Sequence, residues 1–181
     1  MTPGTVLTRL GGAVALTVGL LAGTVTPAGA DLAPMVGTEL VFQKNHGDQT
    51  NSRLLVRGAG GVLASYRAGS GYVKDECARQ RGWLPNGGYS VLSHVRNKNS
   101  VIKGYAIHVS NRRCHNGTSR TELFIHSEML PNGGQGGSES TRWDGVRDYR
   151  SLGCIKLHPN DIKRLFEVLD KYGWPRGLHV G

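Results

Sequence analysis

The chain has 181 residues, 22 of them Lys or Arg against 13 Asp or Glu, for a formal net charge of +9. That length suits one domain of ordinary size, and 38% hydrophobic with 19% charged residues supports a buried core, which argues against wholesale disorder and against a multi-pass membrane protein. The 27 glycines are about twice the average share, and without a Gly-X-Y period they point to turns between short strands rather than to collagen or a linker.

At the N-terminus, the terminal amine and Arg9 precede an apolar run from Gly11 to Val25 and then Ala28-Gly29-Ala30. This is the pattern of a secretory signal with a small-residue cleavage site. The run falls short of the roughly 20 apolar residues that span a bilayer, and no basic stop-transfer cluster follows it. Residues 1–30 are therefore expected to be removed on export, leaving residues 31–181 as a secreted or cell-wall-associated domain without a membrane anchor. Removal of Arg9 leaves a net charge of +8 on the mature part, so anionic cell-wall polymers are candidate partners. The basic residues are scattered from Arg53 to Arg176, with no dense run or aromatic ladder, so specific nucleic-acid binding is not expected.

From Glu39 the sequence reads as short strands: Glu39 to Gln43, Leu54 to Arg57, Val62 to Arg67, Tyr89 to Val95, Tyr105 to Val109 and Leu123 to His126. Several alternate apolar and polar residues, as half-buried strands do. Gly58-Ala59-Gly60-Gly61 predicts a hairpin, and Pro85-Asn86-Gly87-Gly88 a turn before Tyr89. The polar, Gly-rich stretch from Pro131 to Ser140, followed by Arg142-Trp143-Asp144, predicts a long ordered loop or lid. One helix follows. Pro159 and Asn160 start it, Ile162, Leu165, Phe166 and Leu169 form its apolar stripe, and Gly173 stops it.

Three cysteines, Cys77, Cys114 and Cys154, leave at least one thiol unpaired in an oxidising compartment, and counting does not choose among the three pairings. Cys154 lies on a Gly-containing turn just before the helix, and His126 ends an apolar strand. A thiol nucleophile needs such a base: a free Cys titrates near 8.5, and a neighbouring imidazolium brings it to roughly 3.5–7.5. The same residues also fit a buried core thiol and a histidine bonded to backbone.

His126-Ser127, Ser151-Leu152-Gly153-Cys154-Ile155-Lys156 and Leu84-Pro85-Asn86-Gly87-Gly88-Tyr89 together resemble the signature of the bacterial L,D-transpeptidases of the YkuD type. The resemblance covers most of residues 38–173. It implies a mainly β, sandwich-like domain with a C-terminal helix. It also implies Cys154 as nucleophile on peptidoglycan stem peptides and His126 as proton donor and acceptor, oriented by the Ser127 carbonyl. The N–H groups of Gly153 and Cys154 would stabilise the oxyanion, and Ser151, Lys156 and Trp143 would contact substrate. If Cys154 is to stay free, Cys77 and Cys114 form the disulfide. No cofactor and no metal are implied, and a monomer is expected.

Two departures stand out. Leu152 replaces the His that usually precedes Gly-Cys, with His108 as the fallback imidazole, and Cys154 lies 28 positions after His126, a longer gap than the family usually shows. Hydrolysis by an L,D-carboxypeptidase, or an inactive cell-wall-binding module on the same fold, are the alternatives. Sortases want a Thr-x-x-Cys context and a later Arg, and papain-like peptidases place Cys before His. The sortase context is missing, and after Cys154 only His158, which opens the helix, and His179, near the terminus, follow.

Overall fold

Alternation of buried and exposed residues along short strands sets the architecture. The computed structural model describes residues 1–4 and 37–181, so the signal segment expected within residues 1–30 lies outside the described residues except for its first four. The strands are β1 (Glu39–Gln43), β2 (Ser52–Gly58), β3 (Gly61–Ser70), β4 (Gly87–Asn99), β5 (Lys103–Val109), β6 (Arg112–Arg113), β7 (Ser119–Arg120), β8 (Leu123–His126), β9 (Ile155–Leu157) and β10 (Gly177–Val180). One α-helix, α1 (Pro159–Tyr172), lies between β9 and β10.

Eight strands form a closed ring in the order β1-β10-β4-β5-β8-β9-β3-β2, and β6 and β7 make a separate two-stranded ribbon. The domain is mainly β with a C-terminal helix, as the patterning indicates. The faces of the expected sandwich belong to one continuous sheet, because β1 pairs with β2 on one side and parallel to β10 on the other. Closure leaves none of the eight strands with a free edge.

Every second residue of the strands faces one core: Leu40 and Phe42, Leu54 and Val56, Tyr66 and Ala68, Ile107 and Val109, Leu123 and Ile125, Ile155 and Leu157, Leu178 and Val180. The same cluster takes Ile162, Leu165, Phe166 and Leu169 from α1, and full burial of each such side chain stabilises by about 1.5–3 kcal/mol. His158 caps the helix by accepting from Asn160 N, Pro159 occupies the first turn, and Gly173, at φ +98°, ends it with its N–H on the Leu169 carbonyl.

The Gly58–Gly61 hairpin joins β2 to β3. The stretch from Pro131 to Ser140 is a loop folded on itself by backbone bonds between Leu130 and Gly134 and between Gly136 and Thr141. Cys77, in the loop between β3 and β4, is joined by a disulfide to Cys114 in the β6–β7 ribbon, with Cα atoms 5.5 Å apart. Cys154 carries a free thiol.

A crosslink closing 37 positions constrains the unfolded chain by about 3–4 kcal/mol. The Cys77→Ser/Cys114→Ser variant is expected to melt about 10 °C below the parent in a thermal scan without reductant. Equal melting temperatures would show that the bond contributes nothing.

Candidate functional site

Parallel pairing of β8 with β9 sets Ile125 opposite Ile155 and His126 opposite Lys156. Ile125 and Ile155 are fully buried in the core. Because side chains alternate along a strand, His126 and Lys156 face the other way, with Phe124 on the strand beside them and Cys154 leading into β9. That outer face is the wall of a cleft of about 800 Å³ whose lining includes His126, Cys154, Lys156, Leu152 and Arg120.

His126 Nδ1 lies 3.0 Å from the Ser127 carbonyl. A carbonyl only accepts, so Nδ1 carries the proton and Nε2 is left as the basic nitrogen. Burial, reinforced by the Lys156 cation, lowers the imidazole to about 4, against the opposing pull of the Ser127 bond. Lys156 is itself bonded to the Glu128 carboxylate, whose pKa is raised by burial although Lys156 opposes the rise. The other carboxylate oxygen of Glu128 and the Ser127 hydroxyl are buried without a partner among the described residues.

Cys154 Sγ donates toward the Glu122 carbonyl at 3.6 Å. Glu122 holds φ +55°, uncommon outside glycine, immediately before β8. Burial pushes the thiol up to about 11, while the Phe124 N–H, Lys156 and Arg120 pull it down. At neutral pH the resting pair is a neutral thiol and a neutral imidazole, not the imidazolium-activated thiolate that the spacing suggests. Sγ and the ring share the cleft without a hydrogen bond between them among the described residues. Cys154 immediately precedes β9, whose Ile155 pairs with Ile125.

The turn before Cys154 is built on Ser151. Its hydroxyl donates to the Cys154 carbonyl at 2.6 Å and accepts from Gly71 N at 3.0 Å and Gly153 N at 3.1 Å. The Ser151 hydroxyl, which also lines the cleft, therefore holds the turn, and the Gly153 N–H is bonded to it. Gly153 is required twice over. Its φ is +128°, and a Cβ there would lie 2.0 Å from Arg120 Nη2.

Trp143 is not among the residues lining the cleft; its ring packs edge-on against Tyr149 and His158, with centroids at 4.8 and 5.5 Å, and its backbone N–H donates to Gln135 Oε1. His108 stacks on Phe124 at 4.4 Å and does not line the cleft either. Leu152 does, and is 64% exposed. Sequence reasoning missed Arg120, Glu128 and Tyr72, all in the lining; of these only Glu128 carried a signal, its place two residues after His126. Among the described residues, Cys77, Cys114 and His115 group as potential metal ligands, but the two sulfurs are joined to each other.

The family model described as the L,D-transpeptidase catalytic domain, YkuD, matches residues 46–174. The chain belongs to this family. Among solved structures it is similar to Bd1075 of Bdellovibrio bacteriovorus, with TM-score 0.50 and 13% identity over 80% of this chain and 47% of that one. It is also similar to L,D-transpeptidase 1 of Mycobacterium tuberculosis (TM-score 0.42, 17% identity, 80% and 62% covered) and to the L,D-transpeptidase catalytic domain of E. faecium acylated by ertapenem (0.39, 18%, 78% and 96%). The chain thus spans about half to three-fifths of the first two. No curated protein matches it significantly.

Two outcomes follow from this geometry. The folded protein resists protonation of His126 until about pH 4, whereas the unfolded chain takes up that proton near 6.5. Its contribution is present above pH 6.5 and is lost as pH falls toward 4, by up to about 3 kcal/mol. Urea midpoints of the parent should decline between pH 7 and 4.5, and those of His126→Gln should decline less. Gly153→Ala should cost about 1–3 kcal/mol from the backbone conformation alone and slow iodoacetamide labelling of Cys154; unchanged stability and labelling would mean the turn tolerates a side chain.

Proposed function

We propose that the chain is an exported L,D-transpeptidase acting on peptidoglycan stem peptides through a thioester on Cys154. One observation carries the reading: a free thiol and an imidazole with Nε2 left as its basic nitrogen line one cleft. That cleft presents six cationic side chains, Arg79, Lys98, Lys103, Arg120, Arg150 and Lys156, against two carboxylates, Glu122 and Glu128. A cationic cleft suits a carboxylate-bearing peptide.

In this reading the stem's arrival excludes water, and rotation of the Cys154 side chain brings Sγ within reach of His126. Nε2 takes the thiol proton as sulfur attacks the carbonyl preceding the terminal D-residue. With the Gly153 N–H engaged by Ser151, the Cys154 N–H is the remaining oxyanion donor of the expected two, worth roughly 3–4 kcal/mol in other acyl-transfer enzymes. The tetrahedral intermediate collapses with cleavage of the peptide bond, and the imidazolium returns its proton to the departing D-alanine amine. A side-chain amine of a second stem then attacks the thioester and passes its proton to His126, and the freed sulfur is reprotonated. Leu152 supplies no second imidazole, so His126 serves both half-reactions. The signal-like N-terminus directs the protein out of the cell, where its substrate lies.

Incubated with a tetrapeptide stem or a carbapenem, the protein should gain the mass of one acyl group on the peptide carrying Cys154, and Cys154→Ala should gain none. Amine acceptors should clear the stem thioester faster than water. Equal rates would mark a carboxypeptidase, and absence of any adduct on free Cys154 would favour the binding module.

A further inference from the structure

Arg120 sits on the two-residue strand β7 in a polar stretch, yet only 3% of it is exposed. Its guanidinium makes four bonds, all to backbone carbonyls. Nη1 donates to Glu76 and, at 3.0 Å, to Trp83; Nη2 donates to Gly82 at 3.0 Å and to Leu152 at 3.4 Å. Three of these carbonyls belong to the loop that the Cys77–Cys114 disulfide ties to the ribbon bearing Arg120. The fourth belongs to the turn that presents Cys154. The fork lies so close to Gly153 that a Cβ there would overlap it.

No carboxylate among the described residues forms an ion pair with Arg120. A buried cation satisfied only by carbonyl dipoles is costly and awaits a counter-charge. The group beside it that acquires negative charge in the reaction is the Cys154 sulfur, on the same turn and in the same cleft. Burial lowers the guanidinium's pKa and raises the thiol's; their mutual attraction opposes both shifts, beside Tyr89, Asp75 and Glu76 for the guanidinium and the Phe124 N–H and Lys156 for the thiol.

We infer that Arg120 is the positioning residue of the nucleophile: it clamps the Cys154 turn to the disulfide-closed loop and supplies, beside Lys156, a buried positive charge that the sulfur anion meets. The assignment rests on the thioester reading for its purpose, but its charge role is measurable without substrate. Lysine retains the charge and loses the planar fork, whereas glutamine loses the charge.

The test measures iodoacetamide alkylation of Cys154 against pH, mapped by mass spectrometry on the disulfide-intact protein, together with the rate of acylation by a carbapenem. In Arg120→Gln the alkylation midpoint should rise by about one pH unit, with about tenfold slower labelling at pH 8. In Arg120→Lys the midpoint should stay at the parent value while acylation slows about tenfold, because one nitrogen cannot hold four carbonyls. Parental midpoints and acylation rates in both variants would overturn the assignment. An equal rise in the midpoint in both would also overturn it, leaving Arg120 a packing residue. If circular dichroism shows Arg120→Gln unfolded, Arg120→Lys decides: slowed acylation at an unchanged midpoint supports the role, and parental acylation removes it. A parent protein that is alkylated but never acylated would refute the thioester reading, while the alkylation profiles would still judge Arg120.

Discussion

A short parallel pairing, Ile125 with Ile155 and His126 with Lys156, holds the site together. Its inward side is fixed by two isoleucines in the core, so its outward side cannot slip by one residue without sending those isoleucines into solvent. The imidazole, the lysine and the cysteine turn therefore inherit their relative positions from hydrophobic packing. Glu128 then fixes Lys156, and Ser151 fixes the turn.

That packing also sets the chemistry's starting point. Burial disfavours charge on both His126 and Cys154, and the Lys156 cation opposes protonation of His126. The pair is uncharged at neutral pH, so the resting thiol is a weak nucleophile, and in the proposed reaction its activation would accompany binding of the stem. An imidazole with a depressed pKa is a weak base, and the proton transfer becomes favourable only if the sulfur anion is stabilised as it forms. Burial therefore makes the site depend on its nearby cations.

Much of this was legible in the sequence where the cause is local. Pro159 and Gly173 bound the helix, the glycines between Val56 and Val62 turn a hairpin, and alternation revealed six of the eight ring strands. β9 escaped because three residues are too few to show a period, and β10 because Gly-Leu-His-Val at the end of the chain carries little pattern of its own. Ring closure is a pairing between distant segments and has no local signature. Cys154 and His126 were found through their flanking residues, but the uncharged resting pair was not, since it depends on burial. The packing of Trp143 against Tyr149 and His158 and the bond from the Gly153 N–H to Ser151 depend on how the loop and the turn fold, which spacing alone does not show. Arg120 lay in a polar stretch with nothing to distinguish it from a solvated arginine.

The strand that seals the ring is the last to be made. β10 pairs with β1 on one side and β4 on the other, so until residues 177–180 are available both neighbours expose unpaired backbone. A chain emerging during synthesis cannot finish its sheet; it must hold two sticky edges open until β10 arrives and then close in one non-local step, which is intrinsically slow. Loss of those four residues would cost the domain its closure rather than a mere tail.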